Sequence, residues 1–94
     1  MSAFRLPEAL THVQVVSVMN EARAHFAALP ADAAWVVEAQ DVARLDSSAV
    51  ALLLEIQRWA KAASRSWRVL NPPTQLSALI QVYGLDEVLA LPVA

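Results

Sequence analysis

Two short apolar runs, Ala34-Trp35-Val36-Val37 and Trp67-Arg68-Val69-Leu70, are each flanked by stretches whose apolar residues recur at helical spacing. A β-branched and aromatic run without polar alternation is the pattern of a strand covered on both faces, which a parallel sheet provides. Parallel neighbours need a long crossover, and a helix is the usual one. Phe4, Arg5 and Leu6 read as a further short strand that Pro7 stops. The order β-α-β-α-β-α predicts an α/β fold: a small, mainly parallel sheet with right-handed crossovers and helices packed against it. With a last short helix or turn at 85–91, helices outnumber strands on this reading.

The first helix is expected over 11–29, with Thr11 as its N-cap and Pro30 as its stop. Val15, Val18, Met19, Ala22, Phe26 and Leu29 form its apolar stripe, while Gln14, Ser17, Asn20, Glu21 and Ala24 face away. The segment 38–44 crosses to a second helix over 48–64. That helix presents Ala49, Leu53, Ile56, Ala60 and Ala63 to the core and Glu55, Arg58 and Lys61 to solvent. Leu54 falls between Arg58 and Lys61 on the wheel and Trp59 beside Glu55, so both are expected at the surface in part. After Asn71-Pro72-Pro73, Thr74 is the expected cap of a third helix carrying Leu76, Leu79, Ile80 and Tyr83, and Gly84 is placed for a left-handed C-terminal cap.

At 94 residues the chain suits one domain with one core. Hydrophobic residues are 57% and charged residues 17%, so disorder is excluded and more apolar surface remains than so small a core hides. A partner is expected on that surface. The net charge of -2, with no basic stripe interleaved with aromatics, argues against nucleic acid. There is no cysteine, hence no disulfide or thiolate metal site. The first residues lack the apolar core of a signal peptide, and no run is long enough to span a bilayer. A cytoplasmic location is the expectation.

Leu45-Asp46-Ser47-Ser48-Ala49-Val50 stands at the junction before the second helix. Asp, Ser and Ser there lie among unpaired backbone N–H groups at the positive end of the helix dipole, where an anion, including a phosphate on Ser47, is tolerated. Plain capping by Asp46 or Ser47 accounts for the same residues, and both readings stay open. His12 and His25 are the only histidines, His25 four residues after Glu21. Without further His or Cys they make no metal site, and their distance along the chain from Ser47 leaves a serine nucleophile without a base. A lone Gly84 makes no phosphate loop. No cofactor, metal or catalytic residue is expected, and the chain is not expected to be an enzyme. Trp35, Trp59 and Trp67 read as core or core-edge residues, with Trp59 and Leu54 the better candidates for an interface anchor. The outer face of the first helix lacks the Lys/Arg density of a membrane-surface helix.

The stretch from Val36-Val37-Glu38-Ala39-Gln40 through Leu45-Asp46-Ser47-Ser48-Ala49-Val50-Ala51-Leu52-Leu53 resembles the signature of STAS domains, the fold named for sulfate transporters and anti-sigma-factor antagonists. The family pattern is an apolar strand, an acidic-apolar-Ser step, a short link, then Asp-Ser/Thr-x-Gly and an apolar helix. The likeness runs over almost the whole chain. Two positions depart from it: Ala49 stands where the family has Gly, and Glu38-Ala39-Gln40 lacks the serine. No extra strand is evident before Phe4, unlike the typical anti-sigma-factor antagonist.

Ending in Tyr83-Gly84-Leu85-Asp86-Glu87-Val88-Leu89-Ala90-Leu91-Pro92, the chain is most similar to the small MlaB-type STAS subunit of the bacterial Mla phospholipid transporter. That resemblance implies a non-enzymatic regulatory and assembly subunit on the cytoplasmic ATPase of an ABC transporter that maintains outer-membrane lipid asymmetry. It would meet the inner membrane only through that complex. Ser47 matches the functional Ser/Thr of the subgroup, and Asp46, Ser47, Ser48, Leu54 and Trp59 are the expected partner-binding residues. The alternative the resemblance offers is an anti-sigma-factor antagonist switched when a serine kinase phosphorylates Ser47, which adds roughly -1.5 to -2 charges. A homodimer through the partner-binding patch is a further expectation for the isolated chain.

Overall fold

The structure is a computed structural model, and it describes residues 3–85. The two apolar runs form β3 (Trp35–Glu38) and β5 (Trp67–Leu70), and Phe4–Arg5 forms β1. They make one parallel sheet in the order β1-β3-β5, with Phe4 opposite Val37 and Trp35 opposite Trp67. Every residue of β3 is buried, as expected of a central parallel strand. Trp35 and Val37 point to the core face; Val36 and Glu38, on the other side of the pleat, are buried as well.

Two strands went unpredicted. β2 (Ala9–Leu10) and β4 (Arg44–Leu45) pair in parallel, Ala9 with Arg44 and Leu10 with Leu45. The pair prolongs β1 and β3 past a break. Leu6 N–H still bonds Glu38 O at 2.9 Å, Pro7 has no N–H to offer, and pairing resumes where Ala43 and Arg44 donate to Glu8 O at 2.8 and 3.0 Å. Five strands and three helices are therefore present among the described residues, so the expected excess of helices is reversed there. The segment 85–91, read as a last helix or turn, lies outside the described residues beyond Leu85.

The helices are α1 (Val15–Ala27), α2 (Ser47–Ala62) and α3 (Thr74–Val82), and α2 packs against both of the others. On α1 the buried residues are Val18, Ala22 and Phe26 from the predicted stripe, with Val15, Met19 and Leu29 partly buried around them. Thr11 caps one turn too early to be the helix N-cap: Gln14 Oε1 accepts from Thr11 N and Oγ1 at 3.0 and 2.7 Å, Thr11 Oγ1 accepts from Val13 N at 3.2 Å, and the helix itself begins at Val15. On α2 the buried set is Ala49, Val50, Leu52, Leu53, Ile56 and Ala60. Being flanked on two sides widens its apolar arc, which draws in Val50 and Leu52, while Ala63, past the helix end, is exposed rather than in the core. On α3 Leu76 and Ile80 are buried, but Tyr83 is 53% exposed rather than part of the core stripe. The N-cap of α3 is Pro73, not Thr74: Pro73 is extended, and its carbonyl accepts from Leu76 N at 3.0 Å. Among the described residues no helix is long and apolar enough to cross a membrane.

Candidate functional site

The pairing of Leu10 with Leu45 builds the site, because it sets Thr11 and His12 beside Asp46 although 34 residues separate His12 from Asp46. Asp46 is the N-cap of α2 in an extended conformation, φ -135° and ψ -166°. Its Oδ1 accepts from Ser48 N at 2.8 Å and its Oδ2 from His12 N at 3.0 Å. His12 Nδ1 lies 3.2 Å from the same Oδ2. The His12 N–H, then the Ser48 N–H, hold the carboxyl well below its ordinary 3.8, at about 2, against a smaller opposing effect of burial. An ionised carboxylate only accepts, so the imidazole proton sits on Nδ1. The capping reading of Asp46 is thereby correct, and its second oxygen ties the approach to α1 onto α2. His12 was missed as a neighbour of this junction, and no local signal announces a contact made through a strand register.

Ser47 is the first residue of α2 and is exposed, while Ser48 is half-buried. Ser47, Ala51, Leu54, Arg58 and Lys61 follow one another at helical spacing, and apart from half-buried Leu54 all are exposed. Leu54 thus shares the outward stripe of Ser47, two turns along. Trp59 does not. It lies twelve residues from Ser47, about 18 Å along the axis, packs against the core, and carries the Arg23 guanidinium 4.8 Å from its ring centre. The five expected partner-binding residues therefore fall into two places: Asp46, Ser47, Ser48 and Leu54 toward the N-terminal half of α2, and Trp59 near its C-terminus.

An open groove of about 530 Å³ runs between β4 and α3, lined by Ala43, Arg44, Leu45, Ala78, Leu79 and Val82, with Thr11 and Gln75 among its polar residues. Arg44 is held 3.7 Å from Glu8 on the β2 side. The α3 wall, Thr-Gln-Leu-Ser-Ala-Leu-Ile-Gln-Val, contains no charged residue although Gln75, Ser77, Ala78, Gln81 and Val82 are all exposed, Val82 at 77%. Val13 and Val16, 72% and 68% exposed, add apolar surface near His12. Charge depletion on an exposed face, with aliphatic residues and Tyr83 at its end, is the composition of an interface centre rather than of solvated surface. Sequence reasoning looked for a partner surface on α2 and the loop before it; the missing charge on α3 was legible in the sequence but was read there only as core periodicity.

His25, the other histidine, packs edge-on to Phe26 and 5.5 Å from Phe4, far from Ser47 along the chain. Among the described residues no three of His, Cys, Asp and Glu come together as a metal site would need. Asp46 and His12 do form a carboxylate–imidazole pair beside Ser47, so the histidines are not both remote, as the sequence suggested. The imidazole, however, is 81% exposed.

Among curated proteins none matches this sequence. The family model described as MlaB, STAS domain, matches residues 2–91, a span that contains every strand and helix described above. STAS domains in general are regulatory and interaction domains that act through contacts with other proteins. The small parallel sheet with three helices agrees with that fold, and the chain belongs to the MlaB-type STAS domain family.

Proposed function

We propose that this chain is a non-enzymatic regulatory and assembly subunit that binds the cytoplasmic ATPase of an ABC transporter moving phospholipid for outer-membrane lipid asymmetry. On this reading it is cytoplasmic and reaches the inner membrane only as part of the complex. The docking surface is the outward stripe of Ser47 and Leu54 together with the groove between β4 and α3. The observation that carries the reading is the uncharged, exposed α3 face beside an apolar groove, in a chain whose family model is the MlaB type. A helix left without charge in water gains by burial against a protein, and Arg44, Gln75 and Ser47 supply a polar rim for specificity.

The test is purification of the tagged protein from its own host in mild detergent, with mass spectrometry of what accompanies it. An ABC ATPase together with its permease is the expected result. Recovery of a soluble serine kinase or an anti-sigma factor instead would overturn it.

A second reading rests on the exposure of Ser47. Phosphate there would put roughly -1.5 to -2 charges next to the ionised Asp46, enough to expel an apolar or acidic partner while the α2 N-terminus tolerates the group. Such an anti-sigma-factor-antagonist switch predicts a phosphorylated form in intact-mass spectra from native cells, and its consistent absence would remove the switch.

A further inference from the structure

Near the C-terminus of α2, away from Ser47, aromatic side chains from three elements leave a half-open cavity of about 190 Å³ lined by Arg23, Phe26, Ala27, Trp35 and Trp59. Phe26 and Trp35 stack, 4.5 Å between centroids and 6° between planes. Trp35 is 7% exposed, and its Nε1 is buried without a hydrogen-bond partner, an unusual state for an indole N–H in a folded core. Arg23 lies over Trp59 at the mouth, and among the described residues no carboxylate pairs with it.

An apolar cavity of roughly 150 Å³ is enough to take up a benzene ring. Here the walls are rings, and the rim carries a guanidinium already desolvated on one face by an indole. These two features ask for one kind of molecule: an apolar body of benzene size bearing an anionic group. We propose that this cavity is a binding site for a small apolar carboxylate, its hydrocarbon part among Phe26, Trp35 and Trp59 and its carboxylate against Arg23. The site is independent of the proposed docking surface, which lies at the other end of α2.

The experiment is a titration of the ¹⁵N-labelled full chain with benzoate, and with benzyl alcohol as its neutral counterpart, reading the indole N–H resonances. Benzoate should shift the Trp35 and Trp59 signals saturably and bind more tightly than benzyl alcohol. Arg23→Gln should weaken benzoate by about fivefold and leave benzyl alcohol unchanged. Ala27→Leu, at an exposed position on the cavity wall, should fill the space and abolish both while the remaining amide spectrum shows the fold intact. No saturable shift, equal affinity for the two probes, or binding that survives Ala27→Leu would each overturn the proposal.

Discussion

One carboxylate, Asp46, serves two backbone N–H groups and an imidazole, and this explains both its acidity and its position. Its folded pKa of about 2 against an ordinary 3.8 has a consequence of definite sign. Where both folded and unfolded states are ionised, above pH 3.8, the stabilisation is fully present; as pH falls toward 2 the unfolded chain takes up the proton first and the contribution disappears. Asp46→Asn keeps a good N-cap but cannot ionise. The melting temperature of the wild type should therefore exceed that of Asp46→Asn at neutral pH, and the gap should close between the two pKa values. A gap independent of pH would show that the charge is irrelevant. Asp46 as a cap was legible because capping is local: an Asx residue followed by apolar periodicity suffices. His12 was not, because the contact depends on which residue of β2 lies opposite which residue of β4, and Pro7 with the link at 39–43 hides both strands from any local pattern. Glu38 is a similar case. It was read as the start of the crossing, yet it ends β3 with a buried carboxylate that accepts from Gln40 N at 2.9 Å and from Asn71 Nδ2 at 3.1 Å.

The ends of α2 and α3 are built alike. After α3, Gly84 at φ +68° donates to Gln81 O at 3.0 Å and Leu85 to Ile80 O at 2.9 Å; after α2, Ser64 at φ +56° donates to Lys61 O at 3.1 Å and Arg65 to Ala60 O at 2.8 Å. Both are Schellman motifs, which place a left-handed residue just past the helix. Glycine adopts that conformation freely and serine does not. Ser64→Gly should stabilise the protein by about 1 kcal/mol and Gly84→Ala should destabilise it by a similar amount, both measurable by urea unfolding. Among the described residues nothing lies within 4 Å of a Cβ placed on Gly84, so any loss there reports backbone strain and not a clash with them. Opposite signs at the two positions support the account, and a destabilised Ser64→Gly contradicts it. The glycine was a visible stop signal; the serine carried none, and its conformation follows only from where α2 must end for Arg65 to reach the Pro30 and Ala33 carbonyls at 3.0 Å. The α3 start shows the reverse error. Thr74 has the right chemistry for a cap, but the fixed geometry of Pro73 takes the position first.

Across the molecule, the core runs from Phe4 and Val37 in the sheet through Leu52, Leu53 and Ile56 on α2 to Leu76 and Ile80 on α3. Ile56 is fully buried between these neighbours, so Ile56→Ala should cost about 2–5 kcal/mol in denaturant unfolding; a loss under 1 kcal/mol would mean that this face of α2 is not the packed centre. The parallel arrangement was legible because strands buried on both faces are continuous in apolar character and helices between them leave few topologies. The groove that forms part of the proposed docking surface was not legible, since a groove between β4 and α3 requires a strand that local patterns do not disclose. Ser47 and Ala78 are exposed, so changing them should leave the fold unharmed. The most direct test is a binding titration of the purified ABC ATPase with wild type, Ser47→Trp, Ala78→Arg and, as a control in the exposed loop before β3, Asp32→Asn. The account predicts that Ser47→Trp and Ala78→Arg each weaken binding by at least about tenfold at unchanged melting temperature, with Asp32→Asn equal to wild type. Undiminished binding by both groove-side variants would contradict it.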